Sequence, residues 1–369
     1  MNSRPFPLYP IRRAAQALFA ALLPALAAAA PSSHFQFSVV DRWKLQGSGG
    51  WDLLTLDAAR HRLFIARSDR VEVVDANTGT LLGRIANTAG VHGIALAPEL
   101  NRGYTSNGHT NTVTEFDYST LQSLREVPVS GSNPDVILYE PGAEHLFTFN
   151  GHSNNVTVYD ARPLTVRATI SLPGPPEFAV LGGDGRIYVN IESEPGRLAV
   201  IDAAKFSTVA TWPLEGCDGP TGLALDAARA RLFSACANQV MVVTAARNGR
   251  QLARLAIGAH ADGAGYDARR GLAFTSNGVG TLTVVHAVSR DGYAVATTLA
   301  TQPGARTMAL DPESGRIYLV SADFGVSPPA TAEHPHPRAA PLPDTFTILV
   351  AAPHAVTCDC KTNAGRPSR

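Results

Sequence analysis

Short runs of apolar residues recur along most of the chain, separated by polar turns. One such run returns at intervals of roughly 40–45 residues, a spacing that marks an internal repeat. Its seven copies end at Leu56, Leu96, Leu138, Leu181, Leu225, Tyr266 and Leu310. A second run follows each copy, as in Ile187 to Val189, then a third, as in Leu198 to Ile201; six repeats have a fourth, as in Val209 to Trp212. The pattern predicts four short β-strands per repeat.

Seven repeats of four strands are typical of a seven-bladed β-propeller, in which each blade is a small sheet that packs only against its neighbours. We therefore predict an all-β fold of this kind. The seventh repeat has no fourth run after Val350, whereas a β-rich segment from Phe35 to Leu45 precedes the first repeat and belongs to none. We predict that this N-terminal strand completes the last blade and closes the ring.

Several repeats share a motif in which an aromatic-centred strand leads through a turn, often Asn-Gly, into a strand that often ends in Asp. Examples are Gly271-Leu-Ala-Phe-Thr-Ser-Asn-Gly278, which precedes Thr281 to Val285, and Arg197-Leu-Ala-Val-Ile-Asp202. With Cys217-Asp-Gly-Pro-Thr-Gly-Leu-Ala-Leu-Asp226, they resemble the YVTN-repeat (YncE-like) propeller family. The resemblance covers essentially the whole chain after residue 29. It implies a periplasmic or secreted location but no single function, because functions in that family are diverse.

The first residues predict export. Arg12 and Arg13 precede an apolar run from Ala14 to Ala29 that ends in small residues, the order found in secretory signal peptides. We predict a signal peptide over residues 1–29, the propeller over residues 30–355, and a polar tail, expected to be disordered, over residues 356–369. An uncleaved membrane anchor is the alternative, although a span needs about 20 apolar residues. The rest of the sequence suggests no membrane span, and we expect a monomer.

Positive and negative charges balance, with 31 Lys and Arg against 31 Asp and Glu. Arginines such as Arg229 and Arg270 crowd the turns between first and second strands, but acids such as Asp226 and Asp267 share those turns. Interspersed charges of both signs are usual on a solvated surface. Nucleic-acid-binding domains are normally strongly basic, so the charge does not support nucleic acid as a partner.

A propeller brings the start of every innermost strand to one end of its central channel, here called the top face. We place one residue per blade there, and name these seven the mouth residues: Asp52, His92, Asp135, Glu177, Thr221, Asp262 and Arg306. The loops after the second strands should add Asn107, His109, Asn150, His152, Glu192, Asn277 and Asp323 to the same face. We take the mouth residues and the three asparagines as candidate ligand contacts.

Carboxylates that face one another repel, so a cation between them is favourable. Oxygen ligands suit Ca²⁺, and Asp135, Glu177 and Asp262 are the candidate set for such a divalent cation. A small polar ligand that bridges Arg306 to the acids is a second hypothesis. A polar mouth that holds no ligand is a third.

Four cysteines remain in a chain that we expect to be exported, where disulfides persist. Cys217 precedes the first strand of the fifth repeat and Cys236 ends its second strand, so both should lie on the top face of one blade. We predict a disulfide between them. Cys358 and Cys360 fall in the polar tail and receive no role, and His334 and His336 fall in a Pro-rich loop of the last repeat.

Two functions remain open at this stage. The first is an exported binding or interaction protein that presents its top face to a small ligand or partner protein. The second is a lactonase-type hydrolase in which His92, Glu177 and Arg306 act as base, acid and oxyanion partner. The sequence has no Gly-x-Ser-x-Gly nucleophile motif and no Cys-x-x-Cys-His haem motif. We therefore expect binding rather than catalysis, and no cofactor beyond a possible divalent cation.

Overall fold

The computed structural model describes residues 35–331, 337 and 339–355. The predicted signal peptide, the polar tail with Cys358 and Cys360, and the loop histidines His334 and His336 lie outside these residues. The described chain forms seven antiparallel four-stranded sheets, which confirms the predicted all-β, seven-bladed propeller. Two short 3₁₀-helices, Ala58–Arg60 and Pro98–Leu100, follow the first strands of two blades. Within the described part, no helix is long and apolar enough to span a membrane.

The strands of each blade run from the channel to the rim, and in six blades they follow one another in sequence. Blades 1 to 3 are β2 (Leu54–Asp57), β3 (Arg62–Arg67), β4 (Arg70–Asp75), β5 (Leu81–Ile85); β6 (Val91–Ala97), β7 (Arg102–Asn107), β8 (Thr112–Asp117), β9 (Ser123–Pro128); and β10 (Pro134–Glu140), β11 (His145–Asn150), β12 (Asn155–Asp160), β13 (Thr165–Ser171). Blades 4 to 6 are β14 (Pro176–Leu181), β15 (Arg186–Ile191), β16 (Arg197–Asp202), β17 (Ser207–Pro213); β18 (Pro220–Asp226), β19 (Arg231–Cys236), β20 (Val240–Ala245), β21 (Gln251–Ala256); and β22 (Ala261–Asp267), β23 (Leu272–Asn277), β24 (Thr281–Ala287), β25 (Tyr293–Ala300). Blade 7 is β26 (Met308–Leu310), β27 (Ile317–Ser321), β28 (Thr347–Ala355) and β1 (Phe35–Lys44).

The N-terminal strand closes the ring as predicted. β1 is the outermost strand of blade 7 and pairs antiparallel with β28, from Phe35 opposite Ala355 to Lys44 opposite Thr347. The register shifts once, between Val39 and Asp41. Blade 7 is therefore built from both ends of the described chain.

The apolar second and third strands of the repeats lie between blades. β3 and β23 are buried along their whole length, whereas the outermost β5 leaves Leu81 and Leu82 exposed. Tyrosine hydroxyls also join neighbouring blades: Tyr104, Tyr188 and Tyr318 donate to the carbonyl oxygens of Ala161, Ala246 and Ala76 over 3.0, 3.0 and 2.8 Å. Burial between blades explains why the sequence alternation is weak in these strands, since both faces are covered.

A buried arginine fastens blade 1 to the segment that leads into it. The guanidinium of Arg67 donates to Glu72 over 3.3 Å and to the carbonyl oxygens of Ser48 and Gly50 over 3.2 Å. It also lies 3.7 Å from the ring centroid of Phe346, which belongs to the hydrophobic cluster at the junction with blade 7. Burial lowers the pKa of Arg67 to about 10, against the opposing effect of the Glu72 carboxylate. Four separate contacts thus converge on one side chain where the ring closes.

The predicted disulfide between Cys217 and Cys236 is present and connects the loop before β18 to the end of β19. The two cysteines are 19 residues apart in sequence. Replacing both with serine is expected to lower the free energy of unfolding by about 3 kcal/mol, because the bridge restricts the unfolded chain. Urea unfolding of the variant measures this loss, and the wild-type protein under reducing conditions should match it. A variant as stable as the oxidised wild type would contradict the expectation.

Candidate functional site

All seven mouth residues stand at the top ends of the innermost strands, one per blade. His92, Asp135, Glu177, Thr221 and Asp262 are each the second residue of their strand, so they lie slightly further inside the sheet than expected. Asp52 and Arg306 precede β2 and β26 by two residues.

Each of the five mouth residues within a strand falls where the register of the inner strand shifts. The shifts span Val91–Ile94, Pro134–Ile137, Pro176–Ala179, Pro220–Leu223 and Ala261–Gly263. A β-bulge bends its strand and re-aims a side chain. The repeated β-bulge therefore turns one side chain toward the channel in each of these five blades.

Neighbouring blades hold the backbone of the mouth residues in place. The Ser106 hydroxyl donates to the carbonyl oxygen of Asp135, the Ser276 hydroxyl to that of Arg306 over 2.5 Å, and the Asn190 amide to that of Thr221 over 2.9 Å. The donors lie on the second strand of the preceding blade in all three cases. The backbone of these mouth residues is thus fixed by hydrogen bonds from the neighbouring blade and not by loops.

Five mouth side chains form a line of alternating charge. Arg306 Nε donates to Asp262 Oδ2 over 2.8 Å, and its Nη2 lies 3.9 Å from Asp52 Oδ1. His92 Nδ1 lies 2.5 Å from Asp52 Oδ2 and 3.9 Å from Asp135 Oδ1. All five side chains are half-buried.

The carboxyl groups of Glu177 and Asp135 have the fewest close cationic partners of the four mouth acids among the described residues. No hydrogen-bond or ion-pair partner of the Glu177 carboxyl occurs among the described residues, and Asp135 has only the His92 ring. Burial, with the charge on Asp135, raises the pKa of Glu177 to about 10. Burial and the charge on Asp52 raise the pKa of Asp135 to about 7, although His92 acts in the opposite sense. These two carboxyl groups therefore resist ionisation without a cation nearby.

Burial disfavours the charged form of His92, but the hydrogen bond with Asp52 and the charges of Asp135 and Asp52 outweigh it, so the pKa of His92 is raised. The ring also needs the space left by Gly108, since a Cβ there would lie 2.6 Å from His92 Nε2. The imidazole is thus bound by the Asp52 carboxylate on one side, and the absence of a side chain at Gly108 leaves room for it on the other.

The candidate metal set differs from the predicted one. Within the part of the chain that the structure describes, the trio with ligand atoms all within 4.8 Å of one another is Asp52, His92 and Asp135, not Asp135, Glu177 and Asp262. Asp262 instead binds Arg306. A nitrogen ligand with two carboxylates suits a transition metal better than Ca²⁺, which takes oxygen ligands. The geometry does not bring the expected Ca²⁺ ligands together.

The three candidate asparagines lie inside their blades. Asn107, Asn150 and Asn277 are fully buried and donate to threonines on the third strand of the same blade, namely Thr114, Thr157 and Thr283. Each is the last residue of its second strand, whereas the sequence analysis placed it in an open loop. In each blade the threonine lies two residues after the start of the third strand. This recurring threonine is the sequence signal that the asparagine has a structural role. We leave the three out of the candidate site.

The remaining residues predicted on the top face are exposed loop residues or bind elsewhere. His109, His152, Glu192 and Asp323 are exposed, as expected for loop residues. The Thr221 hydroxyl donates to the carbonyl oxygen of Ala261 over 2.9 Å, so it contributes to the link between blades 5 and 6.

A cavity of about 430 Å³ lies along the innermost strands, and its lining begins with residues that follow the mouth residues in sequence. All seven blades line it, and the residue one or two positions after each mouth residue is apolar: Leu53, Ile94, Val136, Phe178, Leu223, Ala264 and Met308. We call this space the central cavity. The sequence signal that could have predicted it is the apolar residue that comes one or two positions after each mouth residue.

Arginines of the opposite face are paired. Arg62 binds Asp57 over 3.0 Å, Arg229 binds Asp226 over 3.2 Å, and Arg270 binds Asp267 over 2.7 Å. This pairing agrees with the interspersed charges in the sequence.

The fold and the mouth define a seven-bladed β-propeller with a charged candidate site above an apolar central cavity. No family model and no curated protein matches the sequence. Among solved structures, the chain is similar to one of Kuenenia stuttgartiensis hydrazine synthase, with a TM-score of 0.66, 16% identity, and coverage of 75% of this chain and 94% of that chain. At this identity the likeness shows the fold alone, and the YVTN-repeat resemblance stays a prediction.

Proposed function

We propose that this protein is an exported binding protein whose ligand is positively charged and binds at the mouth residues. The observation that carries the proposal is the pair of carboxyl groups of Asp135 and Glu177, which have no cationic partner among the described residues beyond the His92 ring, 3.9 Å from Asp135. The four mouth carboxyl groups face one guanidinium and one imidazole. A bound cation would stabilise the ionised forms of Asp135 and Glu177, and burial strengthens such an interaction.

The proposed location outside the cytoplasm, periplasmic or secreted, rests on the signal-type first residues and on the disulfide of blade 5. Disulfides persist in oxidising compartments and are rare in the cytosol. A rigid propeller with a concave, charged top face suits a binding role.

The lactonase-type alternative has less support. Its expected oxyanion partner, Arg306, donates to Asp262 over 2.8 Å and to the carbonyl oxygen of Trp51 over 3.3 Å. A guanidinium held in this way is a poor candidate for stabilising a developing oxyanion. Binding therefore explains the contacts of the mouth better than hydrolysis does.

Thermal unfolding of the purified protein tests the proposal. Divalent cations and small ammonium ions are added after chelation, and a cation at about 100 times its Kd should stabilise the fold by ~2.7 kcal/mol. The rise in unfolding temperature should vanish in Asp135→Asn/Glu177→Gln. It should persist in Glu215→Gln/Glu313→Gln, which removes two exposed carboxylates outside the mouth. A wild-type protein that no cation stabilises, or a shift that survives in the mouth variant, would overturn the proposal.

A further inference from the structure

We infer that the ligand is an organic ammonium ion with an apolar body, whose nitrogen lies among the mouth carboxylates and whose body occupies the central cavity. This inference rests on the proposed function and names the chemical class of its ligand. Three features of the molecule lead to it: the adjacency of mouth and cavity along the innermost strands, the size of the cavity, and the sign of the charge at the mouth.

The charged and apolar surfaces are adjoining residues of the same strands. Val136 follows Asp135, and Phe178 follows Glu177, and both apolar residues line the central cavity. A ligand whose charge lies among the mouth carboxyl groups would therefore have apolar surface one residue further along the same strands. The site offers one polar end and one apolar end, which is the pattern of an amphiphilic molecule.

The central cavity is too large for a metal ion alone. Its volume of about 430 Å³ falls in the range of ligand pockets, roughly 300–1,000 Å³. Its walls are contributed largely by leucine, isoleucine, valine, phenylalanine and methionine side chains. Water gains few hydrogen bonds in such a space, so displacing it by hydrocarbon is favourable. A divalent ion at the mouth would leave this surface uncovered.

Charge decides between amphiphiles. A carboxylate headgroup would meet the four mouth carboxylates, and the one guanidinium there is already bound to Asp262 over 2.8 Å. An ammonium headgroup instead donates hydrogen bonds to Asp135 and Glu177, and charge-assisted bonds of this kind are the strong ones. An alkyl or aralkyl ammonium ion satisfies both ends of the site.

Calorimetric titration of the purified protein with ethyl-, butyl- and hexylammonium, and with the alcohols and carboxylates of the same lengths, tests the inference. Affinity for the ammonium ions should rise roughly fourfold per added CH₂, the gain expected for burying each one. The alcohols should bind about tenfold or more weakly, because they lack the charge. Asp135→Asn/Glu177→Gln should bring the ammonium ions to the level of the alcohols.

A variant of the cavity wall gives a second readout. Ala264→Leu narrows the central cavity and should weaken hexylammonium far more than ethylammonium, whereas Ala296→Leu, on the exposed outermost strand of the same blade, should change neither. The wild-type series decides the question even if Ala264→Leu fails to fold.

The outcomes separate the two proposals. Binding of small ammonium ions or divalent cations with no gain from chain length overturns the inference and leaves the proposed function standing. Alcohols or carboxylates that bind as tightly as the ammonium ions overturn the inference as well. If neither ammonium ions nor divalent cations bind, both proposals fail.

Discussion

Raising the pH from 5 to 9 is expected to lower the free energy of unfolding by several kcal/mol through the mouth residues. Burial and neighbouring charges raise the pKa of Glu177 to about 10 and that of Asp135 to about 7. Between their ordinary values and these raised values, the folded protein binds protons that the unfolded chain has released. Stability therefore falls as the pH rises through that window. His92, whose pKa is also raised, stabilises the fold below its ordinary value and loses that effect as the pH rises further.

Urea unfolding at pH 5, 7 and 9 measures this slope in the wild type and in Glu177→Gln. The amide cannot ionise, so the variant should be similar to the wild type at pH 5, and should be more stable by about 3 kcal/mol at pH 9. Glu313→Gln removes an exposed carboxylate elsewhere and should parallel the wild type. An unchanged slope in Glu177→Gln would show that this carboxyl group titrates normally.

Replacing Arg67 with methionine is expected to cost about 3–5 kcal/mol of stability, the usual effect of removing one partner of a buried ion pair. Both Arg67 and Glu72 have side chains that are 1% exposed. The substitution removes the fully buried partner of Glu72, the donor to three loop carbonyl groups, and the contact with the Phe346 ring.

Arg84→Met is the matched control, because Arg84 also binds Glu72, over 3.4 Å, but its side chain is 51% exposed. An exposed ion pair contributes about 0–1 kcal/mol. Urea unfolding of both variants under identical conditions gives the comparison. Equal losses of unfolding free energy in the two variants would mean that the contribution of Arg67 does not depend on the burial of its guanidinium.

Most of the fold could be predicted from the internal repeat. The spacing from Leu56 to Leu310 predicts seven blades because each blade buries the same strands in the same way. The missing run after Val350 predicts the closing strand by elimination. The bounds of the inner strands were less accurate, since a β-bulge keeps residues such as Asp135 within the pairing while turning them toward the channel.

The chemistry of the site was only partly predictable. Asp52, His92, Asp135, Glu177, Asp262 and Arg306 were assigned to one ring by position, but position along the chain does not give distances across a ring. The ion pair of Asp262 with Arg306 is one contact that position alone does not predict. The burial of the asparagines is another, because a polar residue at a strand end is equally consistent with an open loop and with a buried hydrogen bond inside the blade.

The pairing of β1 with β28 has a consequence for how the protein is made. β1 is synthesised before every other described strand, and its only sheet neighbour is synthesised last. Pairing between such distant segments is slow, and an unpaired strand edge invites association with other chains. We expect the growing chain to gain resistance to proteases in one late step, when β28 captures β1. Until then, β1 has no partner strand although it is made before every other described strand.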